Sequence, residues 1–340
     1  MSSVAGRLEF PTALAEVLRA SPCDIVITGG GGWIGQAALE MLESALGDDV
    51  LKRVSVFGSS ARDLTLRSGR TIPCLALEHI RVLEAGPKLF FHCAFLTKDR
   101  LLGQSVDAFI AGNTVISDCV AAAIERSDAR GIFMPSSGAV YKRDRSVPPS
   151  GGTTATTREL DDDMQANPYG VMKHQDEERF LQIAKQKNIP ACIPRLFNLS
   201  GPFINKIELY ALASMIASCM GGKEITIHAP HRVFRSYIHV ADLVALGFAM
   251  LLNSKKDDVP VFDTAGEEVV ELTALAEKIR EVMGKPQTPI CRPHIITDKD
   301  DVYVGNSKPF NQMMDHHGLT LRSIDVQIRD TAAYLASLIK

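Results

Sequence analysis

Ile25-Val26-Ile27-Thr28-Gly29-Gly30-Gly31-Gly32-Trp33-Ile34-Gly35 is an apolar run that stops at a glycine cluster and resumes as an amphipathic stretch. This is how a first β-strand passes its chain to a phosphate-facing helix. A dinucleotide fingerprint needs one glycine for the tight turn and one that lets backbone approach a pyrophosphate. A third allows close helix–strand packing. Gly29, Gly32 and Gly35 supply these at a spacing of three and three, beginning at Thr28. Ala37, Ala38, Met41, Leu42 and Ala45 continue the helical pattern behind them. N–H groups at the start of that helix would face the phosphates, with the helix dipole favouring their charge.

The rest of the chain limits the function classes. Its 340 residues, 46% hydrophobic and 23% charged, suit one large or two smaller globular domains. A net charge of -3 gives no case for nucleic acid or an anionic membrane surface. No apolar run approaches the roughly 20 residues that span a bilayer, so no membrane partner is expected. Met1–Ser21 contains Arg7, Glu9, Glu16 and Arg19 and lacks an apolar signal core; Leu14 and Leu18 predict a surface helix packed on the domain. Seven cysteines (23, 74, 93, 119, 192, 219 and 291) include no C-x-x-C pair and mostly sit in apolar surroundings. They predict a reduced, cytoplasmic protein.

Strand-like runs at 24–28, 53–57, 89–94, 131–136 and 189–196 alternate with helical patterns at 33–46, 105–126 and 168–187. Such alternation predicts a doubly wound, Rossmann-type parallel sheet with helices on both faces. The stretch 142–167 is rich in Pro, Gly, Ser, Thr and Asp and too long for a simple connector. Beyond residue 200 the pattern is broken: a helix at 207–221, a short strand at 224–228, and helices at 240–252, 271–284 and 323–339. The expected organisation is an N-terminal extension (1–22) and a Rossmann domain (23–196, completed by about 232–265). A smaller mixed α/β substrate domain (197–231 and 266–340) would cap the open end of the sheet.

Tyr169-Gly-Val-Met-Lys173 puts a phenol and an ammonium four residues apart, on one helix face; of six tyrosines only Tyr169 has this lysine. A free phenol, with pKa near 10, is a poor base at neutral pH. A neighbouring ammonium and an oxidised nicotinamide ring would pull that value down. Tyr169 would then exchange a proton with a substrate hydroxyl as hydride moves to or from the cofactor. Ser137, in the strand end Phe133-Met-Pro-Ser-Ser-Gly-Ala-Val-Tyr141, would donate a hydrogen bond to the reacting oxygen. Asn113 is a poor helix former inside 105–126, and its functional role would be to orient Lys173 through backbone or water.

Taken together these pieces resemble an extended short-chain dehydrogenase/reductase of the NAD-dependent epimerase/dehydratase branch. Phe91-His-Cys-Ala94, Pro194-Arg-Leu-Phe-Asn-Leu-Ser-Gly-Pro202 and Arg235-Ser-Tyr-Ile-His-Val-Ala-Asp242 also match, in the family's order. The resemblance implies chemistry on nucleotide-linked sugars, with Ser137, Tyr169 and Lys173 catalytic and Asn113 in support. It also places Trp33, Ile34, Ala94, Tyr169 and Lys173 on the cofactor, and Asn198 and Arg235 on the sugar nucleotide, the guanidinium on its diphosphate. It implies a homodimer through helices 105–126 and 168–187. There are departures. Ser236 follows Arg235 where relatives often carry Asp. Gly138-Ala139 stands where the 4,6-dehydratases have Asp-Glu, and Gly138 where GDP-fucose-forming epimerase–reductases have cysteine. Dehydration is therefore not expected. Hydride removal and return at one carbon, or one-way reduction or oxidation, remain.

NAD-preferring Rossmann domains end the second strand in an acid that binds the ribose 2′-hydroxyl. Here Val54-Ser-Val-Phe57 runs into Gly58-Ser59-Ser60-Ala-Arg62. Two hydroxyls and an arginine without that acid suit a 2′-phosphate and favour NADP over NAD, although Asp63 stands beside them. Thr97 and Lys98 follow the third core strand, near the expected nicotinamide, where either would touch substrate. His228, His231, His239 and Asp242 lack zinc-motif spacing, and no metal is expected. His92 reads as a hydrogen-bonded histidine near the cofactor, and Asp161-Asp-Asp163 as solvated loop. Three functions fit: a nucleotide-sugar epimerase with a transient keto-sugar, an NADPH-dependent sugar reductase or dehydrogenase, and a non-catalytic dinucleotide-binding scaffold.

Overall fold

The computed structural model describes residues 6–142, 159–255, 258–297 and 299–339. Most of the long stretch expected to be functional or mobile, residues 143–158 within 142–167, lies outside them, as does the start of the N-terminal extension.

The central sheet is built from β1 (Asp24–Thr28), β2 (Val54–Gly58), β3 (Arg62–Thr65), β4 (Thr71–Ala76), β5 (Pro87–His92), β6 (Asp128–Phe133), β7 (Ser136–Ser137) and β8 (Ala191–Leu196). With the strand Val261–Asp263 on one edge, its order is 261–263, β8, β6, β5, β1, β2, β4, β3, and β7 pairs with β8. Among the described strands of this sheet only β3 runs antiparallel, against β4. The chain leaves β1 for β2 on one side and later returns to β5 on the other. That reversal opens a crevice beyond the carboxyl ends of β1 and β5, where doubly wound sheets bind their ligands. Apolar runs such as Ile25-Val26-Ile27 and Leu89-Phe90-Phe91 are buried because helices cover both faces.

Among the described residues the α-helices are α1 (Thr12–Ala20), α2 (Trp33–Leu46), α3 (Val50–Arg53), α4 (Val106–Arg126), α5 (Pro168–Lys187), α6 (Ala211–Met220), α7 (Val240–Leu252), α8 (Leu272–Val282), α9 (Ser307–His316) and α10 (Ile324–Ser337). The core centres on the stacked rings of Phe91 and Phe133, 3.9 Å apart, and Phe248 of α7, 4.9 Å from Phe91. α1 packs as expected, burying Leu14 and Leu18. The N-terminal arm is held by Glu40, 1% exposed, which accepts from the Leu8 N–H at 3.0 Å and from Arg67 Nε at 2.7 Å.

Several elements depart from the expected ones. β3 and β4 fill a stretch read as having no strand. The helix at 207–221 is a single turn (Ile207–Leu209) followed by α6, and α9 is additional. Among the described residues one helix, α4, is long and apolar enough to cross a bilayer by length and composition, contrary to the expectation that no segment would be. In the fold α4 lies against α5 and β6, with Phe109, Val120 and Ile124 buried.

Candidate active site

α2 has Gly32 as its N-cap, with no side-chain cap and no acid in its first turn, so its first N–H groups are open to an anion at the crevice. Gly29 has φ of +74°, and a Cβ there would meet Ala94 N at 2.7 Å; one at Gly35 would meet Gly29 O at 2.4 Å. Only glycine allows β1, the loop after β5 and α2 to converge this closely. The resulting crevice has a volume of about 1490 Å³. Gly29, Gly32, Trp33, Ile34, Gly35, Ser59, Arg62, Ala94, Thr97, Ser137, Tyr169 and Lys173 all line it. Trp33 is anchored by donating from Nε1 to Pro202 O at 2.7 Å. The Arg62 guanidinium stands directly over the glycine loop, its Nη2 2.2 Å from where a Gly31 Cβ would be. Ser60, Asn198 and Arg235 are not among the described lining residues.

The Tyr169 helix is fixed by local chemistry. Asn167 caps α5 by accepting from Gly170 N at 3.1 Å, and its amide donates to Ala139 O at 2.7 Å. Pro168 sits at the first helical position, Lys185 and Lys187 in the last turn, and Asn188 closes the helix in a left-handed conformation. A Cβ on Gly170 would meet Ala139 O at 2.0 Å, so this glycine lets α5 lie against the Ser137 turn. Ser137, 8% exposed, accepts from Ala139 N at 3.1 Å.

Lys173 is buried, donates to Pro135 O at 2.9 Å and lies 3.8 Å from the Phe95 ring centroid. Burial lowers its ammonium to about 8, against the opposing pull of Asp176, Cys93 and Glu177. The Tyr169 phenol moves the other way from expectation. Burial pushes it up to about 12, with a hydrogen bond to Ser137 acting in the opposite sense. The ammonium is engaged by a carbonyl and a ring. Burial therefore dominates in the protein alone. Burial, then the Lys173 charge, holds His92 neutral at about 3; its Nδ1 lies 2.6 Å from the Thr28 hydroxyl.

Three of the expected site residues are bonded to the protein's own groups. Asn113, fully buried, accepts from Leu96 N at 2.7 Å and donates to Leu96 O and Phe109 O. It ties down the loop that carries Phe95, the ring over Lys173, and has no direct bond to Lys173 among its described partners. Asn198 donates to Ser236 O and Tyr303 O, each at 3.1 Å, and so pins backbone. Arg235, expected on a diphosphate, is 7% exposed and donates from Nη2 to Asp301 Oδ2 at 3.0 Å, where Asp301 is fully buried. His239, weighed as a metal ligand, accepts from Ala241 N at 3.1 Å and caps α7.

Other residues in the site escaped the sequence. Ala76, Leu77, Glu78 and Arg81 line the crevice at the end of β4. The alternation of buried Ile72 and Cys74 was their signal, obscured by Pro73 between them. Tyr303 and Phe197 also line it, with rings 4.8 Å apart, and a Cβ on Gly138 would meet Phe197 Cε1 at 2.6 Å. At the mouth, Lys206 donates to Thr97 Oγ1 at 2.7 Å and to Asp99, and Thr97 donates to Asp99 Oδ1 at 2.5 Å. Burial acts to raise the Asp99 carboxyl, but hydrogen bonds from Lys206 and Thr97 outweigh it and hold it below its usual range. Behind the site Arg195 grips Glu177 of α5 at 2.8 and 2.6 Å and donates to Tyr141 OH at 2.7 Å. Tyr141 in turn donates to Asp263 Oδ1 at 2.8 Å, and Asp263 Oδ2 accepts from Asn306 N at 3.1 Å.

A glycine-cradled crevice with Ser137, Tyr169 and Lys173 along one wall is the arrangement of a dinucleotide-binding short-chain dehydrogenase/reductase. Residues 25–262 match the model of the NAD dependent epimerase/dehydratase family, and the chain belongs to that family. A dTDP-4-dehydro-6-deoxy-D-allose reductase from a Streptomyces species is 36% identical over 76 residues, 22% of this chain and 22% of that protein. The match thus spans about a fifth of that relative's length. Among solved structures, UDP-N-acetylglucosamine 4-epimerase from Methanobrevibacter ruminantium in complex with UDP-N-acetylmuramic acid superposes with a TM-score of 0.70 at 16% identity. It covers 94% of this chain and 99% of that one. UDP-glucuronic acid 4-epimerase from Bacillus cereus, in complex with UDP-glucuronic acid and NAD, gives 0.64 at 18%, covering 93% and 99%. At these identities the likeness is one of fold.

Proposed function

We propose that the protein is an NAD(P)-dependent nucleotide-sugar epimerase working through a transient keto-sugar. The observation that carries this is the convergence of Ser137, Tyr169 and Lys173 on the crevice beside Gly29, Gly32 and Gly35. Residues 23–196, with 232–265, would form the dinucleotide-binding half; 197–231 and 266–340 would form the cap. The glycine cradle, the uncapped start of α2 and Arg62 fit a pyridine dinucleotide, whose nicotinamide ring accepts and returns hydride when bound. Tyr169 takes the proton of the sugar hydroxyl as the carbon is oxidised and returns it afterwards. Ser137 donates to the reacting oxygen and stabilises its alkoxide character. Lys173, held by Pro135 O and Phe95, keeps positive charge beneath the cofactor side of the crevice. Loss of water from the sugar finds no acid after Ser137, since the Phe197 ring fills the space a Gly138 side chain would enter.

The second reading, an NADPH-dependent sugar reductase, is favoured by one observation. β2 ends in Gly58 and is followed by Ser59 rather than an acid, and Arg62 covers the glycine loop, which suits a 2′-phosphate. We infer NADP over NAD on that basis. A cytoplasmic homodimer pairing through α4 and α5 completes the proposal. Incubation with UDP-, GDP- and dTDP-sugars, following reduced nicotinamide by absorbance, separates the two. Sugar inversion without net cofactor turnover supports the epimerase. Stoichiometric consumption overturns it in favour of the reductase. Light scattering at micromolar concentration checks the dimer.

A further inference from the structure

Tyr303 lines the crevice with Ser137, Tyr169 and Phe197, yet it comes from the far end of the chain. It ends the strand Asp301–Tyr303, which runs parallel to Val233–Arg235 with Tyr303 opposite Arg235. Its ring lies 4.8 Å from Phe197, and its carbonyl accepts from Asn198 at 3.1 Å, so the phenol is held from two sides. Ser137 stands between Tyr303 and Tyr169. In each phenol a hydrogen bond to Ser137 opposes the rise that burial imposes.

A serine hydroxyl has one proton to give and two lone pairs to receive. One lone pair of Ser137 takes the Ala139 N–H at 3.1 Å. Burial pushes the Tyr303 phenol above its ordinary range, so it keeps its proton and donates to the second. With both acceptor positions filled, the single Ser137 proton is left to point at Tyr169 and the reacting oxygen. Without the Tyr303 hydroxyl the serine is free to turn that proton away.

We propose that Tyr303 is a positioning residue whose hydroxyl fixes the direction of the Ser137 proton, so that the C-terminal part of the chain completes the site. This rests on the nucleotide-sugar epimerase reading and adds a residue to its proton path.

Y303F removes one oxygen and keeps the ring on Phe197. Carbon NMR of the full chain labelled at tyrosine Cζ, with oxidised NADP or NAD bound, reads the titration of Tyr169 directly. Y303F should raise it by about one unit, the worth of one hydrogen bond to a charged group. S137A should raise it as far or further, and the double variant no further than S137A. With UDP-, GDP- and dTDP-sugars the rising limb of kcat should move up by the same amount, a loss of about tenfold below it, with KM little changed. Lys98, 5.9 Å from the Tyr169 ring centroid, Lys173 one turn along α5, Tyr210 and Arg235 also face the two phenols. All four are present in every variant, so they do not account for a shift.

An unmoved Tyr169 titration in Y303F overturns the assignment. So does an added loss when Y303F is combined with S137A, since Tyr303 would then act on its own. A raised KM with kcat kept marks a substrate contact instead, and overturns it too. If the wild type turns over no sugar nucleotide, the proposed function falls, while the NMR comparison still decides whether Tyr303 governs Ser137.

Discussion

Tyr169→Phe deletes one oxygen and leaves the ring that packs edge-on against Phe95, 5.7 Å away. We expect kcat to fall by about 10²- to 10⁴-fold, the usual worth of a positioned acid–base group, with dinucleotide affinity unchanged. Because burial pushes this phenol up to about 12, phenolate is scarce at neutral pH. Sugar oxidation should therefore accelerate with rising pH, whereas proton donation to a carbonyl should not. Pre-steady-state hydride transfer in each direction checks the sign. Arg62→Gln should weaken NADPH about tenfold or more and leave NADH nearly unaffected; equal weakening of both would refute a 2′-phosphate contact. Tyr169 and Lys173 were legible because a four-residue spacing puts them on one helix face, and Ser137 because it stands where a strand gives way to a loop. Arg235 was not, since its partner Asp301 lies 66 positions away and shows no pattern linking the two.

At the scale of elements, the contact that sets the site is α5 against the Ser137 turn. Gly170→Ala would place a methyl 2.0 Å from Ala139 O, so helix or turn must shift. Such overpacking costs about 1–3 kcal/mol. We expect a lower thermal midpoint by calorimetry together with a fall in kcat, since Tyr169 moves with the helix. A loss of stability with kcat preserved would show that the turn yields and the site does not. The long elements α2, α4, α5, β1 and β8 were readable from period and flanking glycines. β3 and β4 were not, because β3 is almost wholly exposed and β4 exposes alternate residues and carries Pro73 just ahead of its pairing with β2 at Cys74. The wall at Ala76–Glu78 was lost with them.

For the whole molecule, the buried His92 makes folding sensitive to acid. Its imidazole titrates near 6.5 when exposed and is lowered to about 3 in the fold, by burial and then the Lys173 charge. The unfolded chain binds this proton first as pH falls. The stabilisation is complete above about pH 6.5 and is lost progressively down to about pH 3, at roughly 1.4 kcal/mol per unit. Urea midpoints measured across that window should decline in wild type and flatten in His92→Asn. A variant with the same slope would exclude His92 as the source.

The carboxylate of Asp263 answers to two masters: one oxygen receives the phenol of Tyr141, the other the amide that opens α9. Through Arg195 the first of these reaches the helix bearing Tyr169. Any swing of α9 is thereby felt at the chemical centre as a tug on its scaffold. α9 and α5 are geared together through this chain of bonds, and substitutions that loosen α9 should register as changes in turnover before they register as changes in affinity.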